Sequence, residues 1–185
     1  MKIKEAYPYT KAAIKRFAKM YPAPMKVLDV GTRDGYSLHC FNRYGYDAAG
    51  IEIEQEYVDF CKSRGYDVEQ DDFECTKVSD TYDAVYSSHV IEHCHDPLNF
   101  LKSAYKVLRP EGILFMYFPL EHFRKKHKNK GRDDAMKHRQ FWPTLDDFRN
   151  TVLSRCAFFT EVDFFITRTW GGHTEALFIG EKCSL

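Results

Sequence analysis

Val27-Leu28-Asp29-Val30-Gly31-Thr32-Arg33-Asp34-Gly35-Tyr36 is the stretch that decides how this chain is read. Apolar residues around a single acid read as a short strand buried on both faces. Glycines at 31 and 35 then punctuate a turn, and residues 36–44 continue with a helical pattern. Gly31 lets backbone come close to a ligand, and Gly35 supports a tight turn. Amide groups at the start of the following helix favour an anionic group, a carboxylate or a phosphate. The plainer reading is a tight strand-to-helix turn with no ligand.

On either side of this stretch, apolar runs alternate with helical patterns. Residues 10–21 have the spacing of an amphipathic helix. Ile14, Phe17, Ala18 and Tyr21 share one face, and Pro22 and Pro24 stop it. Strands are expected at 26–30, 47–53, 66–70 and 82–88, and helices at 36–44 and 55–64. Asp96 and Pro97 open a further helix with a core stripe of Leu98, Leu101, Tyr105 and Leu108, ended by residues 110–112. An almost wholly apolar strand follows at 112–119, as expected in the middle of a sheet. Residues 120–140 break the pattern as a basic insertion too long for a plain connector. Thr144 and Asp147 form a capping-box signature for a helix to about residue 155. Strands at 158–168 and 173–180, joined through Gly171-Gly172, read as a hairpin. The alternation predicts one α/β domain over residues 1–185, with residues 1–24 as a helical cap. Its expected core is a Rossmann-like, doubly wound, seven-stranded sheet. The sheet is mostly parallel, with an antiparallel C-terminal hairpin and helices on both faces. In such sheets ligands sit beyond the carboxyl ends of the strands at the switch point, where the opening stretch turns.

A chain of 185 residues can bury a core of its own. Its 27 Lys and Arg balance 27 Asp and Glu, which argues against a dedicated nucleic-acid or membrane-surface protein. The charge is uneven all the same. Residues 52–80 carry 10 acids against 3 bases, and residues 122–132 carry 6 Lys and Arg with no acid. The 6 cysteines form no C-x-x-C pair. No apolar run approaches the ~18 residues of a membrane span, and no secretory leader is expected. The cysteines therefore read as reduced thiols of a cytoplasmic protein.

The second strand ends as Gly50-Ile51-Glu52-Ile53, with its carboxylate about twenty residues after Gly31, the spacing that sets an acid on a ribose diol. A carboxylate can accept two hydroxyls at once. The third strand ends in Asp71-Asp72-Phe73. An acid there, Asp71 in preference to Asp72, can accept an adenine amino group while Phe73 lies against the ring. The plainer readings are solvated strand-end acids and a surface acidic turn.

On these residues the chain resembles the class I S-adenosylmethionine-dependent methyltransferases of the broad small-molecule type. The resemblance runs from Lys26 to Pro119 and more loosely to the end. Its most specific piece is Tyr82 to Gly112, with the acid-His element Glu92-His93 and the turn Leu108-Arg109-Pro110-Glu111-Gly112. It implies S-adenosylmethionine as cofactor. Asp29 and Gly31 would border its methionine end, Glu52 would bind its ribose hydroxyls, and Asp71 and Phe73 would frame its adenine; Thr32, Arg33, Gly35, Ile53, Asp72 and Ser88 count with them as cofactor-binding residues. Ser88 and His89 would line the methyl-transfer side. Two positions depart from the family pattern: Arg33 holds the middle place of a usual G-x-G-x-G loop, and Glu111 replaces a common glycine. A nicotinamide enzyme is set aside, because G-x-G-x-x-G is absent.

The expected reaction is attack by an oxygen, nitrogen or carbon of a small acceptor on the sulfonium methyl. His89, His93 or His138 would serve as base if the acceptor loses a proton. His89 and His93 are spaced as metal ligands on a helix can be, with Cys94 and His95 beside them, but no further ligands accompany them, and no metal is assigned. The basic run HFRKKHKNKGR follows the fifth strand on the acceptor side and otherwise reads as a solvated loop. Phe141-Trp142 reads as an anchor for the last helix. Lys11, Lys15, Arg16 and Lys19 form the polar side of the first helix, from which Tyr7 and Tyr9 can reach the site. Two alternatives stand beside the enzyme: a non-catalytic partner subunit of the same fold, and a nucleic-acid methyltransferase resting on the basic run.

Overall fold

The computed structural model describes residues 8–120, 139–140, 142–168 and 174–183. The basic run, His138, Phe141, Tyr7 and the Gly171-Gly172 turn lie outside the described residues. The elements in chain order are α1 (Pro8–Met20), β1 (Lys26–Val30), α2 (Tyr36–Arg43), β2 (Asp47–Glu52), α3 (Gln55–Ser63), β3 (Asp67–Gln70), β4 (Tyr82–Ser88), α4 (Pro97–Val107), β5 (Leu108–Pro119), α5 (Leu145–Thr151), β6 (Phe159–Arg168) and β7 (Thr174–Lys182). Single 3-10 turns stand at Phe73–Cys75, Ile91–His93 and Leu153–Arg155.

Among the described residues the strands form one seven-stranded sheet in the order β3-β2-β1-β4-β5-β7-β6. β1 pairs in parallel with both β2 and β4, so the winding reverses there and opens a crevice at the carboxyl end of β1. β5 pairs in parallel with β4, while β7 runs antiparallel between β5 and β6. The expected architecture is therefore present, with its antiparallel C-terminal pair.

Each face of the sheet carries its own core. On one, Ile14 and Phe17 of α1 meet Phe41, Tyr46, Tyr86 and Phe115. Phe17 alone has three edge-on ring neighbours at 5.2–5.5 Å, an arrangement that aromatic quadrupoles favour, and a tilted fourth, Tyr21, at 5.4 Å. On the other, Phe118, Trp142 and Phe148 interlock with Phe164 and Phe178. Trp142 is thus the hydrophobic anchor its sequence context indicates.

The boundaries that differ most from the sequence reading are the α4–β5 junction and the end of α5. The α4 helix ends at Val107, and Leu108 already pairs with Tyr82, so β5 begins four residues early. Arg109 to Gly112 are taken up by a register shift between that pair and Ala84–Ile113. The reason is burial: Leu108 is 1% exposed and its carbonyl accepts the Lys182 ammonium at 2.6 Å, so it belongs to the sheet. The stripe of α4 shifts accordingly. Phe100, Leu101, Ala104 and Val107 are buried, and Leu98 and Tyr105 only partly so. Finally, α5 stops at Thr151, and Leu153–Arg155 is a separate 3-10 turn after the β-branched pair Thr151-Val152. Its start is as read: Thr144 Oγ1 accepts the Asp147 N–H at 3.1 Å, and Asp147 accepts the Thr144 N–H in return at 3.0 Å.

Candidate active site

The β1 strand carries Asp29 into the interior, where it is 2% exposed and accepts the Ser37 hydroxyl. Burial pushes its carboxyl up to about 7; the Ser37 bond pulls it down, and the Glu52 charge adds to the rise. Gly31 follows with φ +79, a conformation costly for a residue with a side chain. A Cβ there would also stand 2.6 Å from the Val90 Cγ2. Thr32 is buried and donates to the Ile51 carbonyl through Oγ1 at 3.4 Å. Its methyl fills the space that any side chain at Gly50 would need.

Arg33 sits in the left-handed region at φ 48. Its guanidinium carbon lies 5.8 Å from the centre of the Tyr57 ring on α3, a cation–π distance. The loop is tied down by its backbone: the Arg33 N–H donates to Glu52 Oε2 at 2.8 Å, and its carbonyl accepts the Cys61 thiol at 3.2 Å. Gly35, at φ 75, is the N-cap of α2. The amides of that helix start face the crevice end of the sheet.

Glu52 is 6% exposed at the end of β2. Besides Arg33, it accepts the N–H groups of Ile53 at 2.9 Å and Glu54 at 3.1 Å. A carboxylate has about four lone-pair sites, so a diol bound here shares an oxygen with these amides. Ile53 is 60% exposed, an apolar side chain left open at this edge. Glu54 and Glu56 are exposed, as solvated strand-end acids are.

At the third strand the structure divides the tasks. Asp71 turns to its own loop, accepting Thr76 Oγ1 at 2.6 Å and the Lys77 N–H at 2.9 Å. Asp72 caps the 3-10 turn through the Glu74 N–H at 3.0 Å. The Phe73 ring goes into the core, 5% exposed and 5.0 Å from Phe100, edge to face. A ring held that way is not an open platform, and Ile53 is the apolar surface this edge retains.

Beyond β4 the chain passes over the glycine loop. Val30 pairs with Ser87, so Ser88 stands level with Gly31. Ser88 Oγ is 3.1 Å from His89 Nδ1, and His89 Nε2 is 3.1 Å from Glu175 Oε1 on β7. His89 takes φ 60, which histidine tolerates better than most residues, and its N–H donates to the Tyr117 carbonyl at 3.0 Å. Burial pulls the imidazole pKa down. The Glu175 hydrogen bond and the charges of Glu92 and Glu175 outweigh it, so the pKa is raised. Glu92 is 1% exposed, and neither of its carboxylate oxygens has a hydrogen-bond partner among the described residues. Burial raises its carboxyl, against the opposing pull of His89.

His93 is exposed on the Ile91–His93 turn, with its N–H bonded to the Val90 carbonyl at 2.8 Å. One 3-10 turn does not provide the i, i+4 face of an α-helix that paired metal ligands use. Among the described residues no group of three His, Cys, Asp or Glu is placed to hold a metal. His95 turns away to Glu74, whose carboxylate also holds the Asp96 N–H at 2.7 Å. The Arg139 and Gln140 N–H groups both reach the Glu92 carbonyl, at 2.8 and 3.0 Å, which brings the chain after the basic insertion back beside this turn.

Glu175 and Val90 are site residues that the sequence reading misses. A signal for Glu175 is present: a lone acid beside the apolar run Ala176 to Ile179, preceded by Thr174. Val90 gives none, because its role is to occupy the space above Gly31.

Comparison with known proteins agrees with this geometry. A family model described as a methyltransferase domain matches residues 3–161. The ubiquinone biosynthesis O-methyltransferase of Xanthomonas axonopodis pv. citri is 28% identical over 107 residues, covering 54% of this chain and 45% of that protein. The chain thus spans less than half the length of that relative. Among solved structures, the 1,6-didemethyltoxoflavin-N1-methyltransferase of Burkholderia thailandensis, with 1,6-didemethyltoxoflavin and S-adenosylhomocysteine bound, superposes with a TM-score of 0.73 at 19% identity, covering 96% of this chain and 79% of that one. The N-methyltransferase NodS of Bradyrhizobium japonicum, in complex with S-adenosyl-L-homocysteine, gives 0.71 at 11%, covering 95% and 86%.

Proposed function

This chain belongs to the methyltransferase domain family, and on that premise we propose that it moves a methyl group from S-adenosylmethionine to a small-molecule acceptor. The observation that carries the reading is the bond from the Arg33 N–H to Glu52, which joins the glycine loop and the strand-end acid into one cradle at the switch point.

The residues present fit the cofactor. A Cβ would fill the space at Gly31, Glu52 retains acceptor capacity for a ribose hydroxyl, and exposed Ile53 offers apolar surface to a base. Asp29, Gly31, Thr32, Arg33 and Gly35 would hold the methionine end, with the amides of α2 toward its carboxylate. Asp71 and Asp72 would serve the adenine edge, and Phe73 would support that edge from the core. When bound, the cofactor supplies an electrophilic methyl on a sulfonium, so the protein's work is to position the acceptor and exclude water.

The relatives named as O-methyltransferases favour oxygen as the methylated atom. Zero net charge argues against nucleic acid and membrane surfaces as partners. A cytoplasmic location belongs to the same reading. It rests on six free cysteines and on the absence, among the described residues, of any helix long and apolar enough to cross a membrane. His138 and the basic insertion as acceptor-side candidates, and residues 1–24 as a cap, belong to the same reading; His138, the basic run and residues 1–7 lie outside the described residues.

Calorimetric titration with S-adenosylmethionine and S-adenosylhomocysteine tests the reading. Micromolar binding of both is expected. A folded protein that binds neither is a non-catalytic partner subunit instead.

A further inference from the structure

We propose that Ser88, His89 and Glu175 form a proton relay, with Glu175 as the positioning residue that keeps the His89 Nδ1 lone pair turned to Ser88, through which it takes a proton from a hydroxyl acceptor. The inference rests on the methyl-transfer reading and names the acceptor class of that site. Two contacts carry it: His89 Nε2 to Glu175 Oε1 at 3.1 Å, and Ser88 Oγ to His89 Nδ1 at 3.1 Å.

The chemistry follows from donor and acceptor roles. An ionised carboxylate can only accept, so the nitrogen facing Glu175 must carry the hydrogen. In neutral imidazole the other nitrogen, Nδ1, then holds the lone pair and accepts from the Ser88 hydroxyl. A third group orienting a base that in turn contacts a hydroxyl is the logic of activated nucleophiles in general. Here Glu175 is 8% exposed, so solvent does not compete strongly for it. The His89 backbone is fixed as well, held at φ 60 by the bond to the Tyr117 carbonyl.

Location supplies the second argument. Ser88 stands level with Gly31 across β1 and β4, at the carboxyl edge where the cradle lies. The charged groups around His89 are Glu175 from β7 and Glu92 from the 3-10 turn, and both favour the imidazolium that forms when a proton arrives. An acceptor that arrives without a proton to lose, such as a tertiary amine, has no use for this arrangement. A hydroxyl does: its oxygen bonds to the methyl carbon, the carbon–sulfur bond breaks with its electron pair left on sulfur, and the hydroxyl proton passes to Ser88 Oγ as the Ser88 proton passes to Nδ1. The proton then leaves to solvent through the exposed part of the His89 side chain, which is 37% accessible.

The experiment is nitrogen NMR of histidine-labelled protein, comparing wild type with Glu175→Gln and Ser88→Ala. Expected in the wild type is the tautomer with hydrogen on Nε2. In Glu175→Gln the His89 titration midpoint falls, because the Glu175 hydrogen bond to the charged form and one of the two charges that raise it are gone, and in Ser88→Ala the Nδ1 resonance shifts. Hydrogen on Nδ1, or a midpoint unmoved by Glu175→Gln, overturns the relay. The wild-type spectrum decides the tautomer even if a variant does not fold. In turnover, catechol as a hydroxyl probe should show an acidic limb in kcat that moves with Glu175→Gln. Methylation of amine probes alone, or a limb that stays in place, overturns the acceptor class. Titration of the same samples with S-adenosylhomocysteine separates the two readings: absent binding sinks methyl transfer and leaves the tautomer result standing.

Discussion

Glu52 holds the backbone of Arg33: its Oε2 accepts the Arg33 N–H at 2.8 Å, across from β2 to the loop that follows β1. The same carboxylate holds the N–H groups of Ile53 and Glu54. One side chain therefore shapes the loop and, in the proposed function, offers the acid for a ribose. Replacing Glu52 with Ala removes both functions. Hydrogen bonds to a charged group contribute about 1.5–3 kcal/mol each, so affinity for S-adenosylhomocysteine should fall by about tenfold to a hundredfold. Calorimetry reads this directly, and wild-type affinity in the variant would remove Glu52 from the site.

Gly31 is constrained twice, by φ +79 and by Val90, whose Cγ2 lies 2.6 Å from where a methyl group on residue 31 would stand. Gly31→Ala should therefore cost about 2–3 kcal/mol, roughly 1 from the backbone and the rest from crowding. Trimming the neighbour tests the division. The double variant Gly31→Ala with Val90→Ala should recover the crowding part and retain the backbone part, measured as urea midpoints against Val90→Ala alone. Full recovery would mean that the backbone conformation costs nothing.

Arg33 occupies a place where a glycine is usual, yet its contact with Glu52 is made by backbone. Arg33→Gly relieves a left-handed conformation worth about 1 kcal/mol and loses a cation–π contact with Tyr57 worth about 0.5–1 kcal/mol. Stability should stay within about 1 kcal/mol of wild type once the extra freedom of glycine in the unfolded chain is included. Affinity for S-adenosylhomocysteine should change by less than about tenfold. A larger gain would show that the arginine side chain crowds the cofactor.

Asp29 makes the fold sensitive to pH. Its carboxyl stands at about 7 in the folded protein, raised by burial, against an ordinary value near 4 in the unfolded chain. The folded state keeps a proton that the unfolded state releases. The stabilisation is thus fully present below the ordinary value and is lost as pH rises through about 7. Its full size is on the order of 4 kcal/mol. Asp29→Asn cannot titrate, so its stability relative to wild type should improve between about pH 5 and pH 8, as urea midpoints would show. An unchanged gap would mean that Asp29 is ionised throughout.

How much of this is legible follows from the range of each signal. The bounds of β1 and β4 and the start of α4 are readable because local pattern and capping chemistry set them: Asp96 does accept the Leu98 N–H at 3.0 Å. Leu108 is misplaced by sequence because its helical spacing and its strand pairing with Tyr82 compete, and burial in the sheet decides between them. Phe73 reads as a platform for a ring, since nothing in its neighbours in sequence announces Phe100. Asp71 and Asp72 look alike until the loop gives one Thr76 and the other a helix end.

The sequence by itself determined the order of strands and helices, the glycine loop and the acid at the end of the second strand. Each of these depends on residues within one turn or one strand of one another. Only the tertiary structure decided that Glu175 would reach His89, that Val90 would lie on Gly31 and that Thr32 would fill the space at Gly50. Those contacts join residues far apart in the chain, and no periodicity specifies which side chains meet once the sheet is assembled and its faces are closed.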